Sequence, residues 1–232
     1  MFVANLFRLP YMLYQIFHMT NHMGRYSKED RYACLHKMVV WANWGGRVKV
    51  CPYGIENLPK DTNFIMYPNH QGLYDTLSML EAIDRPFSPI AKIETKDVPL
   101  LGRVIRMLDG EFMDRGDIRQ SLGIINSMAN RAKRGDCFVI FPEGTRSKLG
   151  NHMLPFKPGA FKAATLSHTT IVPVALIDSY VPFDRPSIKP TKVQIHFLSP
   201  ITYEEYKDMK TTEIAEMVQG RIRDKITEVT GE

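Results

Sequence analysis

The stretch Phe64-Ile-Met-Tyr-Pro-Asn-His-Gln-Gly-Leu-Tyr-Asp-Thr-Leu-Ser-Met-Leu-Glu-Ala-Ile83 reads as a strand, a turn and a helix in immediate succession. Phe64 to Tyr67 is a continuous apolar run of the kind a covered central strand shows, and Pro68 ends it because proline has no N–H to donate to a ladder. Helical spacing takes over from Tyr74 to Ile83. Between the two, His70 lies on the turn and Asp75 at the start of the helix. The carboxylate can then reach Nδ1, leaving Nε2 outward as a base. Spacing alone does not make a site, because an Asp capping a helix near an unrelated His is common.

The same alternation extends in both directions. Val48 to Cys51, Phe87 to Ala91, Cys137 to Phe141, Ile171 to Ile177 and Val193 to Leu198 read as further strands. Helices are expected at Val98 to Leu108, Ile118 to Arg134, Phe161 to Leu166 and Thr212 to Val229. This order predicts an α/β fold whose central, largely parallel or mixed sheet is flanked by helices. In the last helix Ile214, Val218, Ile222, Ile226 and Val229 form a stripe that suits core packing. Val181 to Pro190, with three prolines, reads as an irregular loop.

The N-terminus differs in character. From Phe2 to Phe17 the strongly polar residues are Asn5, Arg8 and Gln15, which fall on one narrow helical stripe that His22 continues. The segment is too short, and too interrupted by Arg8 and Pro10, for a transmembrane span of about 20 apolar residues. A second helix runs from Lys28 to Trp44, capped by Ser27 with Asp30 three positions on and ended by Gly45-Gly46. Trp41 and Trp44 in its last turn suit a membrane interface. Residues 1–45 therefore read as a two-helix membrane-associating hairpin dipping into one leaflet, and 46–232 as the catalytic domain. The alternative is that both helices pack on that domain.

With 232 residues and 44% hydrophobic content the chain can bury one sizeable core. An excess of 30 Lys and Arg over 25 Asp and Glu favours anionic partners. Cys34, Cys51 and Cys137 are odd in number and far apart, which speaks against a disulfide framework or a Cys-based metal site and makes a reducing compartment the default. No ligand cluster for a metal stands out.

A second motif, Phe141-Pro-Glu-Gly-Thr-Arg-Ser147, ends another buried-strand pattern. Gly144 permits close approach of backbone to ligand, and Arg146 offers a planar fork that matches phosphate oxygens. Farther on, Phe156-Lys157-Pro-Gly-Ala160 precedes a helix whose first N–H groups can add to an anion pocket. The bland reading of Glu143 and Arg146 is a local ion pair at a strand end.

Taken in order, His70 to Asp75, then Phe112-Met-Asp-Arg115, then Phe141 to Ser147, then Ile171-Val-Pro-Val-Ala175 resemble the four blocks of the glycerolipid acyltransferases, and most nearly the bacterial 1-acyl-sn-glycerol-3-phosphate acyltransferases. The resemblance covers roughly residues 46–200. It implies that His70 and Asp75 are catalytic and that Arg115, Glu143, Gly144, Thr145 and Arg146 build the site for the acceptor's phosphate, with Lys92 as a further basic position. The fourth block would line the acyl side. Two departures stand out. The second block's usual Gly is Asp109 here, with the Gly displaced to Gly110, and in the first block Gly72 replaces the commoner Ser while Leu73-Tyr74 stands where Trp is frequent.

The chain holds no Gly-x-Ser-x-Gly elbow and no recognisable Cys-His pair, so direct attack is simpler than an acyl-enzyme. The resemblance implies lysophosphatidate as acceptor and an acyl-CoA or acyl carrier protein thioester as co-substrate, with no cofactor, no metal and no nucleic acid. It also implies an anionic membrane surface at the cytoplasmic face of the cell membrane, bound peripherally or monotopically. Alternatives are another lysolipid or glycerol 3-phosphate as acceptor, a thioesterase, and a non-catalytic lipid-binding protein.

Overall fold

The computed structural model describes residues 5–185 and 189–231. Its centre is a seven-stranded sheet built from β1 (Val48–Tyr53), β2 (Phe64–Pro68), β3 (Phe87–Lys92), β4 (Glu111–Met113), β5 (Cys137–Val139), β6 (Thr170–Ile177) and β7 (Thr191–Phe197), in the order β1-β7-β6-β2-β5-β3-β4. The pairs β6–β2, β2–β5, β5–β3 and β3–β4 are parallel, as is β1–β7, and the turn of direction lies at the antiparallel β6–β7 pair. The expected mixed α/β fold is therefore present. Five neighbouring strands end on the same side, where open α/β sheets present their ligand sites.

Continuous apolar runs became the strands covered on both faces: β2 is buried along its whole length, and β6 along all but Thr170. One layer holds α1 (Leu9–Asn21), α2 (Lys28–Gly46), α3 (Asp75–Ala82) and α4 (Leu101–Met107). The opposite layer holds α5 (Ile118–Lys133), α6 (Lys162–Ser167) and α9 (Thr211–Thr230). In α9 the stripe Ile214, Val218, Ile222 and Ile226 is buried against the sheet, as its spacing predicts.

Several boundaries depart from expectation, each for a local reason. α4 starts at Leu101 and not at Val98, because Pro99 intervenes and Leu100 holds φ 68, a backbone region bulky residues rarely enter. β4 went unseen in the sequence because three residues give too little alternation to register. One helical turn, α7 (Val181–Asp184), occupies the start of the segment expected to be a loop, and residues 186–188 of that segment lie outside the described residues. A short α8 (Tyr203–Tyr206) is closed by a capping box between Thr202 and Glu205. α2 runs through Gly45 and Gly46 and ends at Arg47 in the left-handed conformation. At Gly45 a side chain would collide with that of Asn5, so this glycine serves the approach of the N-terminal segment.

Residues 2–4 of the expected first helix lie outside the described residues. From Leu9 onward α1 packs on α2 and α4, burying Ile16 and Met19, while α2 buries Tyr32, Leu35, Met38 and Val39 in the same cluster as Phe64, Met79 and Phe87. Residues 28–45 are thus continuous with the core of the sheet. The outer face of α1 is apolar, with Tyr14 61% exposed, and it is continued by Phe7, 94% exposed in the turn before the helix, and by Trp44 of α2, 69% exposed. Polar Arg8 turns inward over the rings of Trp41 and Trp44. Among the described residues no helix is long and apolar enough to cross a membrane.

Candidate active site

Pro68 releases the chain from the sheet, and His70 follows on the turn before α3. Its ring is 4.1 Å from that of Phe141 and stacked on it, and Nδ1 lies 2.7 Å from Oδ2 of Asp75. Asp75 is the first residue of α3 and almost entirely buried, and its carboxylate also accepts the N–H groups of Gln71 at 2.7 Å and Gly72 at 3.1 Å. Ser179 Oγ donates to its Oδ1 at 2.5 Å. These donors fix the position of the carboxylate. With Nδ1 engaged by Asp75, Nε2 is the ring nitrogen turned away from that carboxylate, and the His70 side chain remains 22% exposed.

The turn is braced from both sides. Asn69 exchanges hydrogen bonds with the backbone of Leu176 in β6, at 2.7 and 3.0 Å. Gln71 reaches Leu176 O and Asn151 from its amide nitrogen, while its Oε1 accepts the Ser179 N–H at 2.9 Å. Ser179 and Asn151 were missed in the sequence. A usable signal existed for Ser179, since Ile-Asp-Ser-Tyr leaves the C-terminal end of a buried strand, where sites collect.

Glu143 departs from its expected role. It is buried, its Oε1 accepts the backbone N–H of His70 at 2.7 Å, and its Oε2 accepts that of Leu154 at 2.9 Å. Burial pushes its carboxyl up to about 7 against the opposing effect of those bonds, and nearby Asp75 adds to the rise. Both oxygens accept backbone N–H groups, so Glu143 holds the His70 turn, and among the described residues it forms no ion pair with Arg146.

The remaining expected residues are not gathered into one cluster. Arg115 and Gly144 line a cavity of about 260 Å³ that begins at Phe141 and runs between β3, α5 and the segment before α6, with Ile90, Ile125 and Met128 in its wall. Arg146 opens instead onto a polar groove with Lys148, Tyr180 and Arg185. Thr145 is exposed, and Lys92 forms a surface ion pair with Glu94. The split arises because Gly144 turns the chain at φ 77, so that residues before and after it face different sides. Asp109, in the place of the expected Gly, takes the left-handed conformation at φ 51 and is held there by Arg31. Asp109 thus takes a backbone conformation that glycine enters readily and that Asp is among the few other residues to visit.

Among the described residues no group of three or more His, Cys, Asp and Glu side chains comes together as a metal site would require. The arrangement provides an oriented imidazole beside an apolar cavity with cations at its edge, which suits proton abstraction from an amphiphilic anion. The sequence model of the Acyltransferase family matches residues 49–177, more than half of the chain. The chain belongs to the acyltransferase family.

Relatives of this acyltransferase include a probable 1-acyl-sn-glycerol-3-phosphate acyltransferase of Mycoplasma genitalium, 31% identical over 66% of this chain and 58% of the relative. The 1-acyl-sn-glycerol-3-phosphate acyltransferase of Cocos nucifera is 29% identical over 72% of this chain and 55% of the relative. The chain thus spans less than two thirds of the length of either protein. A crystal structure of the 1-acyl-sn-glycerophosphate (LPA) acyltransferase from Thermotoga maritima superposes with a TM-score of 0.76 at 25% identity, covering 97% of this chain and 90% of that one.

Proposed function

We propose that this chain transfers an acyl group from an acyl thioester to the sn-2 hydroxyl of 1-acyl-sn-glycerol-3-phosphate, forming phosphatidate. The observation that carries the reading is the 2.7 Å contact of His70 Nδ1 with buried Asp75, one ring away from an apolar cavity with cations at its edge. The names of the relatives support the acceptor. His70 Nε2 takes the hydroxyl proton as that oxygen attacks the thioester carbon. The C–S bond then breaks, and the departing sulfur receives the proton from the imidazolium. Asp75 stabilises that imidazolium and keeps the tautomer. Thiols near pKa 8.5 leave readily, so no acyl-enzyme is needed. A positioned base contributes roughly 10²- to 10⁴-fold, and holding hydroxyl and thioester together contributes more, through an effective molarity of about 10⁵ M or beyond.

The exposed apolar face of α1 supports peripheral association with a membrane, where a lysolipid acceptor would be met. Purified protein incubated with lysophosphatidate and either acyl-CoA or acyl carrier protein thioester should form phosphatidate. Thiol release that is independent of acceptor would establish a thioesterase instead, and no turnover with either donor would leave lipid binding as the better reading.

A further inference from the structure

Lys157 belongs to none of the four sequence blocks, yet the fold brings it to the edge of the site. Its N–H donates to Pro142 O at 2.9 Å, tying the segment before α6 to the strand end that carries Phe141. Its ammonium lies over Gly144, and a β-carbon built there would come within 2.9 Å of Nζ. Gly144 is therefore bare for two reasons: a left-handed turn at φ 77, and the lysine that occupies the space a side chain would take. Lys157 lines the cavity beside Phe141 together with Arg115 and Lys162. Among the described residues, none of these three cations has a carboxylate within ion-pair distance.

Arg115 feels the carboxylate of Glu94, but Lys157 and Lys162 have no paired carboxylate, so an anion arriving in this apolar cavity gains their attraction without displacing a partner from either lysine. The ligand that fits is an anion attached to a hydrocarbon chain. A phosphate monoester carries about −1.5 to −2 charges near neutral pH, and a diester carries one. Arg146 does not complete this cluster, because it faces the separate groove with Lys148 and Arg185.

We infer that Lys157 is a specificity-determining residue that grips the acceptor's phosphate monoester together with Arg115, and that this pair selects a monoester over a phosphodiester headgroup. This role for Lys157 rests on the acyl-transfer reading above and supplies the second cation of the acceptor site. Lys157 acts on binding and stays out of the proton transfer.

The test is steady-state kinetics of the full chain in detergent micelles, with lysophosphatidate and lysophosphatidylcholine as acceptors and glycerol 3-phosphate as a chainless monoester competitor. Lys157→Gln should raise the lysophosphatidate KM by roughly ten- to a hundredfold, the loss expected for a charge-assisted bond. Its kcat and donor KM should stay within about twofold of wild type. Selectivity over lysophosphatidylcholine should fall by the same factor, and inhibition by glycerol 3-phosphate should weaken with it. Lys157→Arg, which keeps the charge, should recover most of the loss. An unchanged acceptor KM overturns the inference, and so does a rise confined to the donor KM. If wild type makes no phosphatidate, the acyl-transfer reading fails on its own. Calorimetric binding of glycerol 3-phosphate to wild type and Lys157→Gln then decides the role of Lys157, equal affinities counting against it.

Discussion

His70, Asp75 and Ser179 form a chain of hydrogen bonds; under the reaction proposed above, His70 accepts the substrate proton, Asp75 orients the ring and Ser179 anchors the carboxylate. His70→Ala should abolish nearly all transfer with the melting temperature unchanged, because a partly exposed ring on a turn carries little of the core. Asp75→Asn should also lose most activity, since an amide can face Nδ1 with the wrong group. Ser179→Ala should lower kcat with both KM values unchanged. Combining His70→Ala with either of the others should cost little more, as members of one unit are not additive. A loss of only a few-fold in His70→Ala would reject it as the base. Glu143 offers a pH test at the same scale. Its carboxyl stands at about 7 in the fold against 4.5 ordinarily, so the folded protein binds the extra proton and stability falls as pH rises between those values. Glu143→Gln cannot ionise. Melting curves of the two proteins should therefore shift in the variant's favour from about pH 4.5 to about 7; a difference independent of pH would contradict the burial argument.

At the scale of elements, α9 shows how pattern becomes energy. Ile222 lies in the middle of the stripe and is fully buried against the sheet. Ile222→Ala should cost about 2–5 kcal/mol, measured by denaturant unfolding, because lost transfer energy and a cavity add together. Catalysis per folded molecule should be unchanged, since α9 supplies no group to the His70 turn. The start of α4 works in the other direction: Val98 and Leu100 are exposed apolar residues on a segment whose backbone at Leu100 is strained. α2 settles a question the N-terminal pattern leaves open. Its four buried apolar side chains, Tyr32, Leu35, Met38 and Val39, at about 1.5–3 kcal/mol each, match in size the ~5–15 kcal/mol net stability of a whole domain. This helix is core, whatever α1 does at a surface.

For the whole molecule, the outer face of α1 is the feature a water-soluble surface would not select. Tyr11, Tyr14 and Phe17 on the helix, with Leu6 and Phe7 in the turn just before it, are all exposed. Arg103 sits over Phe17, within reach of anionic headgroups, where each cation adds about 1 kcal/mol. Because α2 belongs to the core, the clean test is substitution and not truncation. Phe7→Gln with Tyr14→Gln should reduce co-sedimentation with anionic vesicles severalfold while leaving the melting temperature unchanged. Undiminished sedimentation would show that α1 is only a packing element. Read by itself, the sequence determined what depends on neighbours along the chain. The strand–turn–helix unit at Phe64 to Ile83, the core stripe of α9 and the His70–Asp75 pair each lie within a few turns of chain, and the alternation of such units specifies the α/β class. Only the tertiary structure decided the rest. Ser179 meets Asp75, Lys157 covers Gly144, Glu143 turns inward to the His70 backbone, and Arg146 parts from Arg115, because these positions depend on where separate strands end in space, and spacing along the chain does not encode that.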